Sequence, residues 1–281
     1  MKKTITAFLT VGCIILILFA CDQGEKKVSL RFKFTPETRL FYKEISKGTS
    51  KTTENGSVTS DRYAELEWTL EWYVRRLLKD STAEIVETRT YRYTAVEKDS
   101  STSDTMAHTD DMTMYMKPNG KIVDLEPAYS RKGRLSYLKS YIEQGQPVFP
   151  QGELAQGYSW TQSTKVILPD GPIEASTTYE IKSFARERGY DCVVIAYDGN
   201  MAIPLEPMKE KGYEIVSGVD RITSKGHFYF AYKEGMIVVQ MERWLLDGER
   251  VTISEETGDT VNSRVQIEYD VDHWLAGVER P

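Results

Sequence analysis

The sequence predicts a mainly β fold, an antiparallel curved sheet or half-barrel packed on one principal α-helix, α+β by count. Three observations point there. Ala64, Leu66, Trp68, Leu70, Trp72 and Val74 alternate strictly with Glu65, Glu67, Thr69, Glu71 and Tyr73, the period of a strand with one buried and one wet face. Turn residues recur at short intervals between further alternating runs, as in an antiparallel meander. One stretch alone, 130–143, carries a helical stripe, made of Leu135, Leu138, Tyr141 and Ile142.

The run over 63–75 is longer than the usual strand of about 5–6 residues, as sheets that curve around something often require. Before it, 30–34 and 40–47 read as strands; after it come 83–98, 112–117 and 122–125, the last entered through the tight turn Pro118-Asn119-Gly120. The second half holds strand signals at 158–168, 173–184, 191–197, 219–223, 226–232, 236–246, 249–254 and 261–269. Gly-containing turns at 169–172, 187–189, 234–235, 247–248 and 257–259 join several of them. Ser130 can cap the helix, and Gly145 with Pro147 stops it. A weaker helical signal covers 206–211. The Ser-, Thr- and Asp-rich stretches 50–60 and 99–111 read as loops.

The first twenty residues have the parts of an export signal: Lys2 and Lys3, an apolar run over 5–19, and a close on Leu18-Phe19-Ala20-Cys21. The apolar run is shorter than the ~20 residues that a permanent spanning helix needs. Leu-x-Ala before a cysteine resembles the lipobox of bacterial lipoproteins. That resemblance implies cleavage before Cys21, acylation of Cys21, and a firm membrane anchor. Residues 1–20 are therefore the signal, 21–28 the lipidated cysteine and a polar tether, and 29–281 one β-rich domain. Gly120-Lys-Ile-Val123 and Gly235-Met-Ile-Val238 echo each other, which fits either two similar halves, 29–127 and 147–281 bridged by the helix 130–143, or two ordinary hairpins of one domain. The expected address is the cell envelope, lipid-anchored, with the choice of inner or outer membrane open. The partner that follows is the membrane itself, through acyl chains on Cys21.

Composition sets further bounds. The chain has 36 basic and 42 acidic residues, a net charge of −6, and loses Lys2 and Lys3 with the signal. Such a surface opposes nucleic acid. With Cys13 removed and Cys21 acylated, Cys192 has no partner for a disulfide, and its apolar neighbours Val193, Val194 and Ile195 make it a buried, inert thiol.

No catalytic constellation stands out, and an enzyme is not expected. Ser136-Tyr-Leu-Lys139 has the Ser-x-x-Lys spacing of penicillin-recognising enzymes, but their Ser-Asp-Asn and Lys-Thr-Gly partners are missing. His108, His227 and His273 are scattered without a zinc spacing. Asp104, His108, Asp110 and Asp111 read as a solvated acidic loop. Met112, Met114 and Met116 share one strand face, and thioethers suit Cu(I), yet methionine also makes a pliable apolar wall. The wall is the preferred reading, so no metal and no cofactor are expected.

Second-half residues carry a further resemblance. Pro147-Val148, Gly157-Tyr158-Ser159-Trp160, Tyr179 and Gly189-Tyr190-Asp191-Cys192-Val193-Val194-Ile195 resemble a family of uncharacterised secreted bacterial lipoproteins. There a Gly-Asp-x-Trp step opens a strand; Tyr158 stands here where Asp is usual. In layout the family is similar to the half-barrels of outer-membrane lipoprotein carriers. The resemblance implies a curved sheet with an apolar cavity and no particular activity.

Two functions follow from the residues. Leu66, Trp68, Leu70 and Trp72 on one strand face, with Met112, Met114 and Met116 on another, can line a concave pocket for an apolar ligand or acyl chain. Alternatively the helix fills that concavity as core, and the domain is a structural or protein-interaction module for another envelope protein. Periodicity alone fits a filled sheet and an empty one equally.

Overall fold

The computed structural model describes residues 26–97, 103–127, 135–168, 171–205, 207–210 and 212–281. The export segment and Cys21 lie outside the described residues. In chain order the elements are β1 (Lys27–Val28), β2 (Arg39–Glu54), β3 (Ser57–Leu77), β4 (Ala83–Glu97), β5 (Ser103–Met116) and β6 (Ile122–Pro127). The helix α1 (Leu135–Gly145) and β7 (Leu154–Ala155) follow. The second half adds β8 (Ser159–Leu168), β9 (Gly171–Glu187), β10 (Tyr190–Leu205), β11 (Met208–Glu210), β12 (Tyr213–Ala231), β13 (Met236–Ser254) and β14 (Thr260–Glu279).

The long strands form one antiparallel sheet in the order β6-β5-β4-β3-β2-β14-β13-β12-β10-β9-β8, with β11 beside β12. Its middle is the pairing of β2 with β14, which runs from Arg39↔Glu279 to Glu54↔Ser263. The first half of the chain therefore spreads to one side of this seam and the second half to the other. β3 reaches 21 residues and β14 reaches 20. The predicted alternation over 63–75 lies wholly within β3.

Several polar stretches expected as loops are strand instead. Residues 50–60 form the tips of β2 and β3, joined by Asn55-Gly56 with φ of 46° and 85°, a two-residue hairpin turn of the type that matches strand twist. Residues 103–111 belong to β5. Ser, Thr and Asp are tolerated there because both faces of the sheet are wet near its tips, and threonine's branched side chain suits an extended backbone. At 206–211 the described part is β11, a strand rather than the weakly signalled helix.

The α+β expectation does not hold. The protein is nearly all β, and α1, at 11 residues, is no principal helix around which the sheet wraps. It lies across the gap between the edge strands β6 and β8, which do not pair with each other. The Ile167 amide of β8 donates to Ser140 Oγ at 3.0 Å, and Lys139 Nζ donates to the Val123 carbonyl of β6 at 2.9 Å. Gln162 of β8 fastens the helix end, donating to the Glu143 and Gln146 carbonyls while its own oxygen accepts from the Val148 amide. The helix thus supplies partners to sheet edges that would otherwise present unpaired backbone. Of the predicted stripe, only Ile142 has a described side chain, and it is half-buried.

One end of the curled sheet is closed by chain rather than by helix. Residues 30–34, expected as a strand, cross that end outside any ladder. The Phe32 amide donates to the Pro118 carbonyl and the Lys33 amide to the Gly235 carbonyl. β1 pairs with β7 beside it. Phe32 stacks on Phe149 at 5.4 Å and meets the edge of Phe230 at 5.3 Å, all three buried. Gly235, at φ 73°, lies so close to this segment that a Cβ there would sit 2.4 Å from the Lys33 nitrogen. Cys192 is fully buried in the neighbouring core, and burial pushes its thiol up to about 11, in keeping with an inert side chain.

The outer face is charged. Arg264–Asp247 at 2.7 Å, Lys225–Asp198 at 2.9 Å, Lys47–Glu65 at 3.2 Å and Arg221–Glu249 at 3.4 Å bridge neighbouring strands, and Arg39 pairs with Glu71. These exposed pairs contribute little stability each. They stand beside exposed apolar residues of the same face, Tyr63, Met241 and Leu245.

Truncation of the plug gives a direct measure of how much it holds. Phe32→Ala is expected to lower the unfolding free energy by about 3–5 kcal/mol, read from urea denaturation followed by circular dichroism.

Candidate functional site

Inward-pointing residues meet in rows that follow the strand registers. One row runs Trp68, Glu44, His273, Gln240, Phe228 across β3, β2, β14, β13 and β12; the next runs Leu66, Ser46, Val271, Glu242, Gly226. A third runs Ala64, Gly48, Tyr269, Trp244, Ser224 and reaches Gly199 of β10. Because the sheet curls, residues far apart along these rows face one another. Leu66 and Trp72 of β3 line the same cavity as Tyr197 and Met201 of β10. Its volume is about 520 Å³, within the range of about 300–1,000 Å³ common for small-molecule sites.

Glycines let neighbours pack closely in this wall. Gly48, Gly199 and Gly226 all stand at inward positions of central strands. A Cβ at Gly48 would come within 2.6 Å of the Tyr269 ring, one at Gly226 within 2.8 Å of the Tyr197 hydroxyl, and one at Gly199 within 2.7 Å of Ser224 Oγ. The bare backbone lets two tyrosines and Ser224 lie against neighbouring strands, so the space over each glycine is taken by a neighbour.

The wall divides into an apolar part and a polar belt. Phe32, Leu66, Leu70, Trp72, Met114, Phe228 and Ile237 form the first, with Ile142 of α1 on one side. In the belt, Glu87 is 2 % exposed. It accepts from Trp72 Nε1 at 2.6 Å and pairs with Arg89. Glu44 accepts from Ser46 Oγ at 3.2 Å and lies 3.4 Å from His273 Nδ1; His273 itself stacks on Tyr42 at 4.9 Å. Gln240 Nε2 donates to the Tyr197 hydroxyl at 3.0 Å and to Glu242 at 3.5 Å. Burial pushes the Glu242 carboxyl above the ordinary carboxylate range, and the Glu44 charge adds to this against the hydrogen bonds from Tyr197, Ser224 and Gln240. Burial likewise raises the hydroxyls of Tyr42, Tyr179 and Tyr197, so these rings act as neutral donors.

The predicted site residues fall around this cavity unequally. Leu66, Leu70, Trp72 and Met114 line it. Trp68 points to the same face but packs its ring at 4.8 Å on Tyr91, outside the lining. Met112 and Met116 are buried on the same face of β5, and Met116 belongs to the apolar floor. His108 pairs with Asp110 at 2.8 Å on the exposed upper part of β5, away from the three buried thioethers. Cys21 lies outside the described residues.

Glu44, Tyr197, Gln240, Glu242, Trp244 and Tyr269 were not singled out by the sequence, and His273 was weighed there only as a zinc ligand. A usable signal existed in the glycines at inward positions of otherwise alternating strands, such as Gly226 between Ser224 and Phe228. Such glycines mark places where something approaches the backbone closely.

Comparison with known proteins gives no family. No protein-family model and no curated protein matches the chain. Among solved structures, lipovitellin, from work on its lipid–protein interactions, is 11% identical with a TM-score of 0.48, over 88% of this chain and 26% of that chain. This chain thus spans about a quarter of lipovitellin. The β domain of the Bordetella autotransporter BrkA gives 10% identity and a TM-score of 0.28, over 85% of this chain and 99% of that one. An outer-membrane channel from Pseudomonas putida F1 gives 7% and 0.25, over 86% and 97%. At these scores the likenesses carry no functional argument, and the site's own geometry has to.

Glu242 makes the belt testable by pH. Its carboxyl is raised on folding, so the folded state binds its proton more tightly than the unfolded chain does. Its ionisation therefore costs stability as pH rises through and above the ordinary carboxylate range. Glu242→Gln is expected to match the parent in thermal midpoint near pH 4 and to exceed it at pH 7.5, as measured by scanning calorimetry.

Proposed function

We propose that the protein is an envelope-anchored binding protein, not an enzyme, that holds an amphiphilic ligand in the interior of its curled sheet. The observation that carries this is the cavity of about 520 Å³, apolar toward the plugged end and polar along the Glu44–Glu242 belt. A ligand with one apolar and one polar end matches such a two-part wall. Burial of an acyl chain gains roughly 0.8 kcal/mol per methylene, while the belt offers hydrogen-bonding groups to a polar head.

The geometry also favours binding over the reading of a filled sheet. Ile142 of α1 reaches the cavity wall from the sheet edge. Neither α1 nor the plug fills the space between Leu66 of β3 and Met201 of β10. Attachment to a membrane through Cys21 fits a protein that receives its ligand from, or delivers it to, a lipid surface. The charged outer face fits a body that stays in water beside that surface.

Two measurements test this reading. N-phenyl-1-naphthylamine should gain fluorescence on mixing with the purified protein, and Trp72→Arg should abolish the gain while leaving the far-ultraviolet circular dichroism unchanged. A folded parent protein that leaves the dye dark removes the proposal. Separately, Cys21→Ser should end incorporation of labelled palmitate in a bacterial host and move the protein from the membrane pellet to the soluble envelope fraction. Continued labelling would place the acyl chains elsewhere.

A further inference from the structure

We infer that the cavity selects amphiphiles whose head carries a cation, an ammonium or similar group, seated between Glu44 and Glu242 and against the faces of Trp244 and Tyr269. The inference rests on the ligand-binding reading above and names the ligand's head chemistry.

Charge bookkeeping inside the cavity points this way. The charged lining residues are Glu44, Glu87, Arg89 and Glu242, with His273 beside them. Arg89 is engaged by Glu87, which also accepts from Trp72. That pair cancels and leaves Glu44 and Glu242 facing the interior. Glu242 is surrounded by neutral donors, the hydroxyls of Tyr197 and Ser224 and the amide of Gln240. Glu44 has Ser46 and the His273 ring. Neither is matched by a lysine or arginine of the lining.

Placement brings the two carboxylates to one spot. They sit on β2 and β13, the strands flanking β14, with Glu44 opposite His273 and Glu242 opposite Val271. Two strand spacings and a two-residue offset along them separate their backbones by about 12 Å, room for one small group between the side chains. Trp244 follows Glu242 on the same face of β13, and its ring stands 6.3 Å from that of Tyr269. Gly48 beneath Tyr269 lets this ring lie over bare backbone. Aromatic faces beside carboxylates in a desolvated pocket attract an organic cation through the ring quadrupole and through charge together. A carboxylate or phosphate monoester head would instead meet two like charges.

The test compares heads on one chain. Dodecyltrimethylammonium and dodecanoate, each below its micellar concentration, and dodecanol below its solubility limit compete with N-phenyl-1-naphthylamine for the protein. The ammonium compound is expected to displace the dye at concentrations about tenfold lower than dodecanoate. The double variant Glu44→Gln, Glu242→Gln should bring the two within about twofold of each other and still bind the dye. Glu67→Gln, on the outer face of β3, should leave the preference unchanged, which separates the cavity from general attraction to an acidic protein. Equal displacement by ammonium and carboxylate in the parent, or a preference that survives in the double variant, overturns the inference while the ligand-binding reading stands. Failure of the dye to bind the parent overturns that reading itself. If the double variant does not fold, by near-ultraviolet circular dichroism, the single variant Glu44→Gln takes its place with the same expected narrowing.

Discussion

The structure depends on how a sheet that curls without closing satisfies its two edges. A closed barrel has no free backbone along its rims, but here β6 and β8 end the sheet without meeting. Both edges carry amides and carbonyls that need partners. α1 supplies some of them through Ser140 and Lys139, packing against both edge strands. Ile142 of the same helix lines the cavity, so one element serves the edges and the interior together.

The interior is a compromise between packing and vacancy. Toward the plugged end, Phe32, Phe149 and Phe230 fill the space between walls with rings in stacked and edge-on contact. Away from it the inward positions mix glycine, serine and carboxylate with Leu66, Val271, Trp244 and Tyr269. A protein selected for stability alone would place branched aliphatics there. Holding Glu242 in a place where burial opposes its charge is the kind of cost found where a site must meet something polar.

The seam between β2 and β14 explains why the two halves act on one site. Glu44 and Tyr42 come from the first long strand, His273, Tyr269 and Val271 from the last, and antiparallel pairing sets them side by side. Neither half of the chain holds both walls of the belt.

Much of the fold was legible along the chain because strand alternation is local. Ala64 to Val74 declared one buried face from neighbouring residues alone, and Leu66, Leu70, Trp72 and Met114 followed onto the cavity wall. The helix was also legible as an element, since its stripe and its stop at Gly145 and Pro147 are local too. Its role was not, because a stripe shows that one face is buried and not whether a core or a pair of edges buries it. Residues 30–34 misled for the same reason: an apolar alternating run fits a strand and a plug equally well. The belt was invisible, since Glu44 and Glu242 meet only when strands some two hundred residues apart in the chain pair with β14 between them. The sequence by itself therefore determined the β class, the envelope address as an expectation, and which faces are apolar. Tertiary structure decided that the sheet stays open, that its glycines face inward, and that carboxylates converge there, because each depends on pairing register across the whole chain.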